Sequence, residues 1–153
     1  IALTFISMLI IVMVSDYIYM IIPDEVLLFF GITLSIEILF IDGYHSLLLS
    51  LGNGCIAALF IYLLKMLGDL IFKKESMGGG DIKLLFIFGL VLGWQLSVFS
   101  IFLASVIGLP LSLLILCKNK DHVIPFGPFL SIGALIILLT RIDLNWLLNL
   151  LMR

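Results

Sequence analysis

The sequence predicts an all-α fold, a polytopic membrane protein with about six transmembrane helices. Hydrophobic residues make up 63% of the chain and charged residues only 12%. An ordinary soluble domain is about 45–50% apolar and about 25% charged. The apolar runs cover the whole length, so a soluble core with one anchor does not fit. We therefore predict a single transmembrane domain over residues 1–153.

Six apolar segments support this prediction, because a membrane span needs about 20 helical residues. They cover approximately residues 1–22, 26–41, 46–72, 82–93, 95–117 and 126–150. The second and fourth segments are short. We therefore expect a thinner membrane or a water-accessible vestibule beside them.

Helix breakers separate several of these segments. Pro23 cannot continue the hydrogen-bond ladder of the first segment and biases Ile22 away from helix. Three glycines, Gly78, Gly79 and Gly80, precede the fourth segment. Before the sixth, two prolines flank Phe126-Gly127, which predicts a rigid start to that helix.

The lysines predict the orientation in the membrane. Lys73 and Lys74 lie between the third and fourth segments, and Lys118 and Lys120 between the fifth and sixth. The loops on the opposite side carry no Lys or Arg. Cytoplasmic loops carry an excess of these residues, so the lysine-bearing side is predicted to be cytoplasmic.

Composition and spacing also argue against several classes of site. The net charge is −2 and no run of Lys and Arg occurs, so no nucleic-acid partner is expected. Cys55 and Cys117 form no CxxC pair, and neither they nor His45 and His122 show the spacing of a metal site. No metal or other cofactor is expected.

Asp16 is the first candidate for chemistry. It lies seven residues before Pro23 in an apolar segment, about 10 Å from the cytoplasmic end of the helix. An isolated aspartate there would cost about 2.5–3.5 kcal/mol on insertion. The alternative is a structural role, with Asp16 hydrogen-bonded to Ser15 or Tyr17 or paired with a lysine.

Asp81 is the second candidate, and it follows the three glycines directly. A turn with Asp81 as a helix cap would explain the acid but not three consecutive glycines. Glycine leaves room for another backbone to approach, as an extended peptide substrate would require. Two carboxylates brought together could share a proton, so that one activates water and the other protonates a scissile carbonyl. Their individual roles stay open.

The other charges in apolar segments are predicted to form structural pairs. They are Glu37, Lys65, Asp69, Arg141 and Asp143. Lys65 and Asp69 are one helical turn apart, the spacing at which side chains on a helix meet. Glu37 is the least explained of them and is a candidate to face a cavity.

Three separated motifs resemble those of the type IV prepilin peptidases, membrane aspartyl proteases of the GxGD type. The first is Asp16 with Ile22-Pro23-Asp24, the second is Gly78-Gly79-Gly80-Asp81-Ile82-Lys83-Leu84, and the third is Ile124-Pro125-Phe126-Gly127-Pro128-Phe129-Leu130. GxGD alone is a weak signal, but the order and placement of all three agree. The resemblance extends over essentially the whole chain.

The resemblance implies a catalytic pair, Asp16 and Asp81, with an active-site loop at Gly78, Gly79 and Gly80. Pro23, Lys83, Pro125, Phe126 and Gly127 are possible border or substrate-binding residues. Lys83 has two open roles, since it would stabilise Asp81 or contact a phosphate of membrane lipid. Members need no metal for proteolysis.

The implied substrates are prepilin or pseudopilin precursors, each with a short basic leader and a hydrophobic helix. Cleavage in that family follows a glycine at the end of the leader, on the cytoplasmic face of the bacterial plasma membrane. Many members also carry a four-cysteine domain associated with N-methylation, which is absent here. No methyltransferase activity is expected, whether the chain is a peptidase-only member or a piece without that domain.

Two alternatives remain at this level. A small ion-coupled transporter also uses intramembrane carboxylates, but it predicts a polar pathway and an inverted repeat, and neither is visible. Another GxGD-type protease, such as a preflagellin peptidase, shares the acids. The sequence leaves open the particular substrate and the oligomeric state.

Overall fold

A computed structural model describes residues 1–73, 77–118 and 125–140, and these residues form helices without any strand. The helices are α1 (Ala2–Tyr19), α2 (Asp24–Phe72), α3 (Gly79–Leu92), α4 (Trp94–Lys118) and α5 (Gly127–Thr140). The all-α prediction is confirmed. Residues 141–150 of the sixth predicted segment, with Arg141 and Asp143, lie outside the described residues.

Helix α2 contains both the second and the third predicted segments, joined at Gly43. As one straight helix, its 49 residues would be about 74 Å long, against a hydrocarbon core of about 30 Å. Gly43 breaks the helix with φ 85° and ψ 176°, a conformation that glycine adopts readily. The break divides α2 into a first half up to Asp42 and a second half from Tyr44.

The two halves of α2 fold back on each other, since both contact the same turn of α3. Gly31 of the first half lies beside Ile87, and Gly54 of the second half lies against Phe86. In a straight helix these glycines would be about 35 Å apart, too far to reach neighbouring residues. The chain therefore reverses at Gly43.

Two of the helices are long and apolar enough, by length and composition, to cross a membrane. They are α1 and the stretch Asp24–Ile71 of α2. The described parts of α3 and α5 are 14 residues each, which is short for a full crossing. The six spans remain a prediction.

All five helices contribute side chains to one hydrophobic core. Phe5 of α1 packs edge-on against Phe88 of α3, with ring centroids 5.5 Å apart. Met8, Leu85 and Leu130 are also fully buried in this cluster. In the same bundle, Glu37 accepts a hydrogen bond of 2.5 Å from the Thr4 hydroxyl, so this acid is paired between α1 and α2.

Close backbone contacts between glycines hold α3 against the second half of α2. A Cβ at Gly89 would lie 2.7 Å from Cα of Gly54, and one at Gly54 would lie 2.8 Å from the carbonyl oxygen of Phe86. Real Cβ atoms do not approach this closely, so both positions require glycine. Small residues at such crossings are typical of helices that pack within membranes.

The ends of several helices lie close together at one end of the bundle. Asp24 at the start of α2 forms an ion pair with Lys83 in α3, and Ile22 packs on Gly80. Asp16 near the end of α1 contacts Gly127 at the start of α5. Lys74 and Lys120 of the predicted orientation lie outside the described residues.

Candidate active site

A sharp bend joins α1 to α2 and forms one wall of the site. Helix α1 ends at Tyr19, earlier than the predicted residue 22, and Met20 adopts a left-handed conformation with φ 54°. The Met20 N–H donates to the Asp16 carbonyl at 2.9 Å, and the Ser15 hydroxyl donates to the Ile21 carbonyl at 3.0 Å. Pro23 then precedes the first turn of α2.

Asp16 lies in the last turn of α1 and is only 7% exposed. Its Oδ2 accepts a hydrogen bond of 2.9 Å from the backbone N–H of Gly127. The alternative of a hydrogen bond between Ser15 and the Asp16 carboxylate is not observed, because the Ser15 hydroxyl donates to the Ile21 carbonyl. The Asp16 side chain is therefore held by the start of α5, a contact 111 positions away in the sequence.

Gly127 permits this contact only because it lacks a side chain. A Cβ at this position would collide with Asp16 Oδ2 and lie 3.0 Å from its Cγ. Pro125 and Phe126, immediately before it, line the same cavity as Asp16. The segment between the two prolines thus borders Asp16 directly.

Asp81 lies in the first turn of α3 and is also 7% exposed. Its carboxylate lies close to Gly78, the residue just before the helix, since a Cβ added there would be 3.7 Å from Asp81 Oδ2. The first turn of a helix stabilises negative charge, because its N–H groups have no partner within the helix.

Two of the three glycines lie in this helix, although the sequence predicted all three to form a loop. Gly78 is extended, whereas Gly79 and Gly80 are the first residues of α3. Each has a different environment. A Cβ at Gly80 would lie 3.0 Å from the Ile22 Cβ, while one at Gly79 would meet nothing within 4 Å. Gly80 is therefore the glycine that lets α3 approach the bend after α1.

Asp16 and Asp81 line one cavity of about 1080 Å³ at this end of the bundle. They are close enough for the negative charge of Asp16 to act on Asp81. The cavity also touches most of the other residues proposed from the sequence, namely Pro23, Gly78, Gly79, Gly80, Lys83, Pro125 and Phe126. Gly127 lies behind Asp16 and reaches it by its N–H.

Lys83 lies at the rim of the cavity and pairs with Asp24. Its Nζ is 2.5 Å from Asp24 Oδ2, and both side chains are more than half exposed, at 55% and 57%. The sequence left two roles open for Lys83, stabilising Asp81 or contacting a lipid phosphate. In the structure the ion pair of Lys83 is with Asp24 and not with Asp81. The contact instead connects the first turn of α2 to the first turn of α3.

Sequence reasoning missed the contribution of the second half of α2. Lys65 and Gly68 line the cavity, and the charge of Lys65 acts on Asp81. The signal was present, since a lysine in an apolar span is costly and marks a functional position. It was interpreted as half of a structural pair with Asp69, because those two residues are adjacent on the helix.

Within residues 1–73, 77–118 and 125–140, no group of three or more His, Cys, Asp or Glu side chains is arranged to hold a metal ion. His122 lies outside these ranges. The chemistry that the described site offers comes from its two buried carboxylates.

The described part of the chain is all-helical, contains two helices long and apolar enough to cross a membrane, and brings two carboxylates to one cavity, which is the arrangement of a membrane protein with a carboxylate-pair site. The family model described as the type IV leader peptidase family matches residues 3–113. The chain belongs to this family.

Curated relatives agree with this assignment. The chain is 38% identical over 106 residues to a prepilin leader peptidase/N-methyltransferase of Pseudomonas aeruginosa, covering 65% of this chain and 37% of the relative. Against the protein of the same name from Aeromonas salmonicida, identity is 36% over 130 residues, covering 78% and 42%. For that of Bacillus subtilis it is 31% over 140 residues, covering 88% and 53%.

The chain spans between 37% and 53% of the length of these three relatives. No solved structure matches it.

Proposed function

We propose that this chain is a membrane-embedded aspartic endopeptidase that removes the short basic leader from type IV prepilin or pseudopilin-like precursors. One observation carries the proposal. Asp16 from α1 and Asp81 from α3 face the same cavity and each is nearly buried, and Asp16 is held by a backbone N–H. Family membership supports the same reaction class.

The pair acts with one shared proton. The ionised carboxylate takes a proton from water, and the resulting hydroxide attacks the scissile carbonyl carbon, while the protonated carboxyl gives its proton to the carbonyl oxygen. In the tetrahedral intermediate the first carboxyl is protonated and the second is ionised. Collapse breaks the C–N bond as the first gives its proton to the leaving nitrogen and the second takes a proton from a hydroxyl of the intermediate, which restores the starting state of the pair. Either aspartate can begin as the base, since such a pair titrates as a unit.

The charges around the cavity suit a basic leader. Among the described residues, four carboxylates line it, from Asp16, Asp24, Glu25 and Asp81, against two lysines, Lys65 and Lys83. With one proton shared by Asp16 and Asp81, three negative charges face two positive ones, and a lining of net negative charge attracts a positively charged leader. The relatives carry the name prepilin leader peptidase, and a prepilin leader is the substrate we propose here.

We place this end of the bundle at the cytoplasmic face of the bacterial plasma membrane. Lys83 lies at the rim and Lys73 ends α2, on the side where the positive-inside rule expects them. The names of the relatives also include an N-methyltransferase activity. We propose the peptidase step for these residues, because both acids of the proposed mechanism lie among them.

The test is cleavage of a prepilin-type precursor by the purified chain in detergent or in vesicles, with the cut located by mass. Asp16→Asn and Asp81→Asn should each abolish cleavage while the protein stays folded. Asp42→Asn is the matched control, since Asp42 is exposed beside the reversal at Gly43. Full turnover by either active-site variant would refute the carboxylate pair. Proton-coupled uptake without peptidase activity would favour the transporter.

A further inference from the structure

A second concave surface lies against the candidate active site and has no assigned role. It is a groove of about 610 Å³ between the two halves of α2 and the first turns of α3, here called the α2–α3 groove. Its lining is apolar except for Asp24, Ser35 and Lys83. The Ser35 hydroxyl is already bonded to the Gly31 carbonyl at 2.7 Å.

The groove is continuous with the active-site cavity. Asp24 and Lys83 line both spaces, so their ion pair marks the junction. On the first half of α2 the lining runs from Asp24 to Leu39, which corresponds to about 22 Å of helix. The α2–α3 groove therefore runs along the helices, from the carboxylates toward the opposite end of the bundle.

The shape of the lining suits a helix. Leu28, Ile32 and Ile36 follow one another at a spacing of four residues, and they form one wall. Side chains at this spacing make the ridges and grooves into which a second helix packs. Gly31 is part of the same lining, and an added Cβ there would meet only Ile87, at 3.8 Å.

We propose that the α2–α3 groove binds the apolar helix that follows the scissile bond of the precursor. This deepens the proposed function and rests on it. A precursor of this class has a basic part before the cut and an apolar helix after it. The cavity is charged and the groove is apolar, and the two meet beside the carboxylates. The continuity with the cavity favours a substrate segment over a lipid acyl chain.

Gly31→Leu tests the proposal because it fills the groove without touching Asp16 or Asp81. Gly52→Leu is the matched control. It adds the same side chain to the same helix, at a position where an added Cβ meets nothing within 4 Å. Two substrates are compared, a lysine-rich leader ending in glycine followed by a 20-residue apolar helix, and the same leader with only four residues after the cut.

With the long substrate, kcat/KM of Gly31→Leu should fall about tenfold or more, chiefly through KM, as expected when a hydrophobic pocket is blocked. The short substrate should be cleaved as by the unaltered protein, and Gly52→Leu should cleave both normally. Unchanged cleavage of the long substrate by Gly31→Leu would refute the proposal that the groove binds the apolar helix, but it would not refute the proposed peptidase function. An equal loss on both substrates would also refute the groove proposal. Failure of the unaltered protein to cleave the long precursor would overturn both proposals.

A measurement without turnover covers the case in which Gly31→Leu fails to fold. Ile32→Cys in the groove and Thr33→Cys, which is outside the groove lining and about 100° further around the helix, are each placed in an Asp16→Asn chain in which Cys55 and Cys117 are replaced by serine. The long precursor carries one cysteine in its apolar helix. Disulfide formation should favour position 32 over position 33. Equal yields would show that the groove does not hold the helix.

Discussion

The backbone N–H of Gly127 donates a hydrogen bond of 2.9 Å to Oδ2 of Asp16, and so the first residue of α5 holds a carboxylate of α1. The contact requires glycine, because a Cβ would occupy the position of the carboxylate. The hydrogen bond joins the third sequence motif, at Gly127, to the first, at Asp16. Asp81 of the second motif faces the same cavity. The geometry of Asp16 therefore depends on a residue with no chemistry of its own.

Gly127→Ala should lower kcat/KM for precursor cleavage by about 100-fold, the size expected when a reacting group is displaced by about 1 Å. The N–H is kept, so the loss reports the displaced carboxylate and not a lost donor. Steady-state kinetics on purified protein measure it, with Gly52→Ala as a control at an open position. Wild-type kinetics in Gly127→Ala would contradict this account of Asp16.

Gly80→Ala and Gly79→Ala should separate the two helical glycines of the triplet. At Gly80 the new Cβ presses on Ile22 at 3.0 Å, and overpacking of this kind costs about 1–3 kcal/mol. Gly79 has open space, so alanine there should leave stability unchanged or raise it by up to about 1 kcal/mol. Thermal unfolding in detergent tests the order. Equal melting temperatures would show that the bend does not press on α3.

Gly54→Ala and Gly89→Ala should each destabilise the protein by separating α2 from α3. Both added Cβ atoms would meet backbone atoms within 2.8 Å, which cannot yield as the end of a flexible side chain can. Gly52→Ala, two residues from Gly54 on the open face, is the control. The fraction that stays monodisperse after heating measures the effect. If Gly54→Ala matched Gly52→Ala, the close crossing would be refuted.

The ion pair of Lys83 and Asp24 should contribute little to stability. Both side chains are more than half exposed, and exposed pairs of this kind contribute about 0–1 kcal/mol. A double-mutant cycle with Lys83→Ala and Asp24→Ala, followed by urea or thermal unfolding, measures the coupling energy. A coupling well above this range would mean that the pair is shielded from solvent.

Cleavage should have a bell-shaped dependence on pH if the two carboxylates share one proton. At low pH the rate falls because both are protonated and no base remains, and at high pH it falls because both are ionised and no acid remains. Initial rates with one precursor at subsaturating concentration report kcat/KM across the range. A profile without an acidic and a basic limb would argue against the shared proton.

The sequence identified the two candidate acids but predicted less of the fold that brings them to one cavity. Asp16 and Asp81 were identified because carboxylates are costly in apolar segments, and this cost is visible without coordinates. The reversal at Gly43 was anticipated only as a loop, and the end of α1 was placed at residue 22 although the helix ends at Tyr19. The end of α1 depends on hydrogen bonds that the apolar pattern does not show, such as the one from the Ser15 hydroxyl to the Ile21 carbonyl.

Lys65 and Lys83 show why local spacing was insufficient for the surrounding charges. Lys65 was assigned to Asp69 because they are neighbours on one helix, yet it also lines the cavity beside Asp81. Lys83 is two residues from Asp81 in sequence, but its ion pair is with Asp24, 59 positions away. Which charges face each other is decided by the packing of helices, and the sequence contains that information only indirectly.

By itself the sequence determined the class of the protein, the apolar segments and the two acids, because hydrophobicity, charge and glycine content act locally. Only the tertiary structure decided what the glycines do. Gly80 admits the bend after α1, Gly127 donates to Asp16, and Gly31 leaves open a groove that continues from the cavity. These roles depend on which backbone lies opposite each glycine, and the chain specifies that only once the helices are packed together.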